Sequence, residues 1–430
     1  LSRSGNDACA RAVRSATVRP VHRRTLAKAL AALTLAAVLA PAPWSTAHGT
    51  ATAALAVHTA SDAAAEAGTV LYVPPPNPGA ARQARELAGA GLTADAAAVT
   101  AMAGTPHAVW LGDPSPARAE SQTRTTVLAA ARQGALPVLV LHNVPGRDCS
   151  QYSAGGATSS AAYRSWVDAV ARGIDDHRAL VVLEPDSLAL LPRECADGGG
   201  AQGGTRTAAR YSQIEYAVEA LEAKPAADVY LDTGHATWHP VTTIVPRLRQ
   251  AGVARATGFA VNTSNYETDD AGAWFAHLVS ACLLYADRGG DPAACPDQWR
   301  PRNEAAAWFA ARLGTPDPAA MKHFVTDSSR NGQGPWTAPA DRYADPQEWC
   351  NPPGRGLGAR PTTRTGDPLH DARLWIKTPG ESDGACLRGT AGPTDPERGT
   401  VDPPAGVWFP EQALELVRLA RPESARRASS

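Results

Sequence analysis

The sequence predicts an α/β fold: a parallel β-sheet rolled into a distorted, TIM-like barrel within a single domain. Three observations carry that expectation. Short, wholly apolar runs recur along the chain, and such runs read as strands buried on both faces of a parallel sheet. Helix-patterned segments alternate with them over most of the length, as βαβ units do. Polar residues follow the runs closely, as in LVVLEPD at 180–186, which puts carboxylates at the strand ends where such folds hold their sites.

The elements follow in order. Residues 48–68, rich in Ala and Thr, read as a flexible lead-in. Residues 70–73 look like a short strand, stopped by Pro74, Pro75 and Pro76. Residues 80–90 are an Ala-rich helix, and 108–111 the next strand, with Trp110 near its end. A helix at 121–133 follows, with Gly134 placed to cap it. The apolar strand 136–141 runs into His142 and the polar stretch 143–149. A helix at 161–174 leads to the strand that Pro185 ends, which delivers Asp186. A longer helix at 205–223 precedes a strand at 229–231 and Asp232. Residues 243–251 are helical, with Pro246 tolerated in the first turn. The strand 258–261 leads to Asn262, and helices at 272–285 and 303–313 come next. A strand around Phe324 and Val325 enters Asp327, before a long loop at 331–371 rich in Gly and Pro. Residues 373–377 read as the last strand, running on to Glu381 and Asp383, and 410–419 as the closing helix. The single domain is expected over 69–421, with a disordered tail at 422–430.

The chain has 430 residues and a formal net charge of −1, which gives no electrostatic case for nucleic acid or an anionic membrane as partner. Hydrophobic residues make up 44%, enough for a large core. The 11 Trp outnumber the 9 Tyr and the 5 Phe. Indole is costly to bury completely, so the excess points to exposed flat faces, on which sugar rings stack. At the front, Arg23 and Arg24 precede an apolar run at 26–39 that has Lys28 near its start, and Ala47 closes a small-residue cleavage site. Residues 1–47 therefore read as a secretory signal with an upstream extension, its run too short to span a membrane. Cleavage removes Cys9 and leaves Cys149, Cys195, Cys282, Cys295, Cys350 and Cys386. An even number in an exported chain favours disulfides, and sequential pairing is the simplest connectivity. None of these cysteines shows zinc-type spacing.

Asp148, Asp186, Asp232, Asn262, Asp327 and Asp383 all sit just past strand ends. One such residue is a cap. Several carboxylates on one rim repel each other and raise one another's pKa, which packing alone does not call for. Paired acid–base catalysis, as in glycoside hydrolysis, uses such a cluster; so does a divalent metal site. Trp110, Trp238 and Trp349 each lie beside a rim motif, which suits a carbohydrate better than a phosphate. No His-Glu-x-x-His motif occurs, so no metal and no cofactor is expected.

The blocks around these residues resemble glycoside hydrolase family 6, the secreted cellulases. They are GRDC at 146–149, LEPDSL at 183–188, YLDTGHATW at 230–238, GFAVNTSNY at 258–266, DSSRNGQGP at 327–335, WCNPPGRGLG at 349–358 and DARLWIKTPGESDGAC at 371–386. The resemblance implies a barrel with fewer strands than the eight of a regular one, about seven, so the strand list above is one too long. It makes Asp186 the general acid and Asp148 the neighbouring charge that raises its pKa and supports an oxocarbenium-like transition state. It implies inversion, with acid and base carboxyls roughly 6.5–9.5 Å apart, and Asp383 as the base, with a water chain through Asp148 as the other route. Asp232 tunes the local field and binds sugar. Asn262, Lys377 and Glu381 join it in holding the substrate, and Trp110, Trp238 and Trp349 stack on glucosyl units. Asp327 is expected to be structural, with Arg330 as its ion-pair partner, and His235 to be a hydrogen-bonded structural histidine.

Two positions depart from the family pattern: His142 stands where Tyr is common, and Ala154 where Ser is common, with Ser153 adjacent. The segments between Cys149 and Cys195 and between Cys350 and Cys386 are short beside those of the tunnel-forming exo-enzymes. The resemblance therefore implies an open cleft and a secreted, monomeric endo-β-1,4-glucanase whose partner is a β-1,4-glucan. A cellobiohydrolase is the first alternative and a non-catalytic sugar-binding barrel the second.

Overall fold

The structure, a computed structural model, describes residues 68–195 and 202–420. The expected signal at 1–47, all but the last residue of the lead-in, and the tail at 422–430 lie outside the described residues.

Strands β1 (Val109–Leu111), β2 (Val138–Leu141), β3 (Ala179–Leu183), β4 (Ala227–Asp232), β5 (Gly258–Val261), β6 (His323–Asp327) and β7 (His370–Leu374) form one sheet. Their order in space is their order in sequence, and every neighbouring pair is parallel. The sheet curls until its edges approach: the N–H of Ala108, just before β1, donates to the carbonyl of Trp375, just after β7, at 2.9 Å. This is the distorted parallel barrel the sequence predicts.

The strands are apolar throughout because both faces are covered. Val138, Val140, Leu180, Val182, Ala260 and Val325 meet inside the curl. Their neighbours Leu139, Leu141, Val181, Leu183, Phe259 and Phe324 pack outward against the helices. Leu139 is fully buried, so its truncation to Ala is expected to cost about 2–5 kcal/mol. The helices are α1 (Pro78–Gly89), α2 (Thr93–Ala103), α3 (Pro116–Arg132), α4 (Ser160–Ile174), α5 (Gly203–Glu222), α6 (Val241–Gln250), α7 (Asp269–Asp287), α8 (Arg302–Leu313) and α9 (Pro410–Arg418).

Four expectations need correction. Residues 70–73 make no strand: Leu71 forms a single bridge to Leu136 before the prolines turn the chain away. The last strand is His370–Leu374, not 373–377, because Ile376 and Lys377 leave the sheet to donate their N–H groups to the Asp327 carboxylate at 3.2 and 2.9 Å. Helix α2 is absent from the sequence reading. Helix α6 starts at Val241, which places Pro246 in its second turn. The cysteines pair sequentially, as expected: Cys149–Cys195, Cys282–Cys295 and Cys350–Cys386.

The long loop after β6 contains no helix or strand up to β7, yet it is ordered by polar ties. Arg388, fully buried, pairs with Asp395 at 2.9 Å and donates to the carbonyls of Pro346, Gln347 and Cys350.

Candidate active site

The turns after β2 and β3 are fixed to each other by two buried side chains. Glu184 is wholly buried, and its carboxylate accepts the N–H groups of Asn143 and Val144 at 2.9 Å. Burial pushes its pKa up to about 7 against those hydrogen bonds. Arg210 reaches from α5 to the carbonyls of Ser187 and Pro145 at 2.9 and 3.0 Å. Backbone strain gathers here: Asp148, Glu184, Asp186 and Asn262 all have φ between 51 and 70°. That is the left-handed region, which non-glycine residues hold only where surrounding contacts over-determine it.

Asp186 stands at the end of β3 on the wall of a cleft of about 820 Å³. Its N–H donates to Oδ1 of Asp232 at 2.9 Å, and Gly234 donates to the same oxygen. Its own Oδ1 is buried with no hydrogen-bond partner. Burial first, then the charges of Asp232, Asp148 and Asp383, raises its pKa well above the ordinary range. A carboxyl held so keeps its proton at neutral pH and can give it to a leaving group.

Asp383 faces the same cleft in the opposite condition. Its Oδ2 accepts from Arg330 at 2.7 Å, from the Tyr266 hydroxyl at 3.2 Å and from the Asn351 N–H at 3.1 Å. Lys377 Nζ lies 3.2 Å from Oδ1. Burial opposes its ionisation, but the Arg330 and Lys377 charges outweigh burial and hold its pKa below the usual value. Asp148 lies between these extremes. Burial raises its pKa, opposed by the Ser153 N–H, which donates to it at 2.6 Å, and by the charge of Arg147.

The cleft wall also carries Trp110, Trp238, Trp349, Lys377 and Glu381. Trp110 is held by a bond from Nε1 to the Ile376 carbonyl at 2.9 Å and meets the ring of His142 edge-on at 5.3 Å. Trp238 stacks on His239, with ring centres 5.7 Å apart, and Trp349 leans on Tyr152. Each of the three is half-buried, so each keeps part of its ring toward solvent. Burial raises the pKa of Glu381, which accepts from Asn77 at 2.9 Å.

Two expected substrate contacts fail to reach the cleft. Asn262 is 2% exposed, and its amide is spent on the Glu267 and Asp327 carbonyls and the Glu267 N–H, so it braces the rim. Asp232 is 1% exposed and supports the Asp186 turn; burial pushes its pKa up to about 6. Asp327 is structural, as expected, since its oxygens accept from the N–H groups of Ser329, Ile376, Ser264 and Lys377. That saturation corrects the expected partner of Arg330, which pairs with Asp383.

His235 lies on the cleft wall with its pKa pushed down to about 4, chiefly by burial and then by His239, so it is neutral. Burial, then Arg147 and Lys377, pushes His142 down to about 3. Ser153 and Ala154 both line the cleft. Sequence reasoning missed Trp336, Tyr152 and Tyr266 on the same wall. Tyr266 sits inside a block already singled out and Trp336 one residue beyond another.

The model for glycosyl hydrolases family 6 matches residues 66–420. Endoglucanase A of Cellulomonas fimi is 39% identical over 330 residues, covering 76% of this chain and 57% of that protein. Endoglucanase A of Thermobispora bispora is 33% identical, covering 75% of this chain and 56% of that one. The chain thus spans little over half the length of these two relatives. Among solved structures, the endoglucanase Cel6 from Mycobacterium tuberculosis matches with a TM-score of 0.60 at 34% identity, over 82% of this chain and 98% of that one. Barrel, rim carboxylates and sequence thus agree over one continuous span, and the chain belongs to glycosyl hydrolases family 6.

Proposed function

We propose that the chain is a secreted endo-β-1,4-glucanase that cleaves internal bonds of cellulose and related β-glucans with inversion. One observation carries the reading: Asp186 and Asp383 face one cleft with their proton affinities driven in opposite directions. That separation is what assigns an acid and an anionic partner. Asp186 gives its proton to the glycosidic oxygen as the bond breaks. Positive charge then develops at the anomeric carbon, where the Asp148 and Asp383 carboxylates of the cleft stabilise it. Water enters from the opposite face.

The two ion pairs revise the part expected of Asp383. A carboxylate held by Arg330 and Lys377 binds a proton weakly, so Asp383 serves as the fixed charge that orients the water. Asp148, with its raised pKa, is the better proton acceptor and takes the water's proton through solvent. Trp110, Trp238 and Trp349 hold the glucan chain by stacking. The three disulfides suit an oxidising exterior, and the chain acts as a monomer.

The test is digestion of carboxymethylcellulose, followed by viscometry and by NMR of the first-formed anomer. A fast fall in viscosity with α-anomer product is expected. Cellobiose release with little loss of viscosity makes the enzyme exo-acting, and β-anomer product overturns inversion.

A further inference from the structure

Trp299 is the only exposed Trp, Tyr or Phe among the described residues, at 57% exposure. The structure holds it there with several separate ties. The Cys282–Cys295 disulfide fastens the segment to α7. Asp297 Oδ1 accepts the Trp299 N–H at 3.1 Å, and Trp274 Nε1 donates to the Gln298 carbonyl at 3.3 Å. The Gln298 side-chain amide then donates to the carbonyls of Ala236 and His239 at 2.8 and 2.9 Å. Those two carbonyls bracket Trp238, one of the aromatic residues of the cleft wall. The Trp299 backbone is therefore anchored one residue from the side chain that braces the Trp238 turn, and Trp299 itself is outside the cleft lining.

We propose that Trp299 is an outer binding platform for the same β-glucan chain, taking glucosyl units that leave the cleft past Trp238. The inference rests on the glucanase reading and extends its site. A sugar ring presents an apolar C–H face rimmed by hydroxyls, which matches a single indole set among polar groups. The neighbours of Trp299 are of that kind: Asp297, Gln298 and Arg300. A protein partner would call for a broad apolar patch, which an isolated ring does not supply. The tie through Gln298 to the Trp238 turn commits the platform to the chain bound against Trp238. No bond is made or broken at Trp299, so its effect belongs to chains long enough to reach it.

The test compares Trp299→Ala and Trp299→Tyr with wild type on a soluble long-chain β-glucan and on cellotetraose. The ratio of kcat/KM on the long chain to that on the tetramer is expected to fall about three- to tenfold in Trp299→Ala, through KM. Trp299→Tyr is expected to restore most of it. An unchanged ratio overturns the proposal, whether the individual rates hold or fall together. Affinity electrophoresis of Asp186→Ala with and without Trp299→Ala, in gels containing the same glucan, reads binding without turnover. Failure of wild type to cleave either substrate defeats the glucanase reading. Equal retardation of the two Asp186→Ala proteins defeats the platform alone.

Discussion

The rim after β3 and the rim after β7 each present an aspartate to one cleft, half-buried Asp186 and buried Asp383, and the two are opposites. Asp186 has three carboxylates for neighbours and an oxygen with no hydrogen-bond partner, so it keeps its proton. Asp383 has two cations, a hydroxyl and a backbone N–H, so it gives its proton up. Asp383 is the more buried of the two, so burial alone would give it the higher pKa and does not explain the contrast. The sign of the neighbouring charges does, and it converts one residue type into an acid on one side and a permanent anion on the other.

The largest effect is expected at the acid. Asp186→Asn should leave the fold intact and lower hydrolysis of soluble β-glucan by about 10³-fold; near-normal rates would sink the assignment. The same variant tests the energetics. A carboxyl whose pKa is raised by folding contributes stability below its unfolded value of about 3.9 and loses it as pH rises toward the folded value. Removing the ionisable group removes that loss. Asp186→Asn should therefore melt higher than wild type at pH 7 and level with it near pH 3, by thermal denaturation across pH.

Arg330→Met should act in the opposite direction. It strips a buried partner from Asp383, which is expected to cost about 3 kcal/mol, the low end for a broken buried pair because Lys377 remains. The depressed pKa of Asp383 contributes stability that is present above about pH 3.9 and lost as pH falls through the folded value. The gap between wild type and Arg330→Met in urea denaturation should thus be flat at neutral pH and narrow below about pH 4. A gap that widens on acidification would mean that the Asp383 pairs do not hold.

How far the sequence foretells this contrast depends on the range of the interactions. The strands are legible because parallel strands covered on both faces are unbroken apolar runs, as in β2 and β3. The edge strand β7 alternates buried His370, Ala372 and Leu374 with half-buried Asp371 and Arg373, so its polar start hid its position. Helix α2, TADAAAVTAMA, is apolar nearly all round and offers no periodic face to recognise. The carboxylates themselves are legible because each lies in the connection that leaves the end of a strand, Asp186 close behind β3 and Asp148 and Asp383 further along. What charges them is not: Arg330 lies 53 residues from Asp383 and Tyr266 lies 117 residues away. No local pattern encodes such a pairing; only the closed sheet brings it about.

A smaller effect is expected at Glu184, which ties the turns bearing Asp148 and Asp186. Glu184→Gln replaces one acceptor of the Asn143 and Val144 N–H groups with a donor. About 1–3 kcal/mol of stability should go with it. Steady-state kinetics should show a fall of about tenfold in kcat with KM retained, because the acid is displaced while the aromatic wall is untouched. Loss confined to KM would place Glu184 with the substrate contacts.

The smallest effect is expected at His142, where the neutral ring decides the outcome. Burial and the charges of Arg147 and Lys377 push its pKa down to about 3. From pH 5 to 8 the imidazole therefore carries no charge and takes no part in the contrast between the two rims. His142→Phe keeps a flat ring against the edge of Trp110 and removes only the ring nitrogens. The change in kcat/KM should stay within about tenfold, and the limbs of the pH–rate profile should not move, since they report groups that titrate in that range. An acidic limb displaced by this variant would show that the ring carries a proton at working pH. The cleft would then hold a further cation beside Arg147, Arg330 and Lys377, and Asp148 rather than Asp383 would feel it first, because His142 shares its turn.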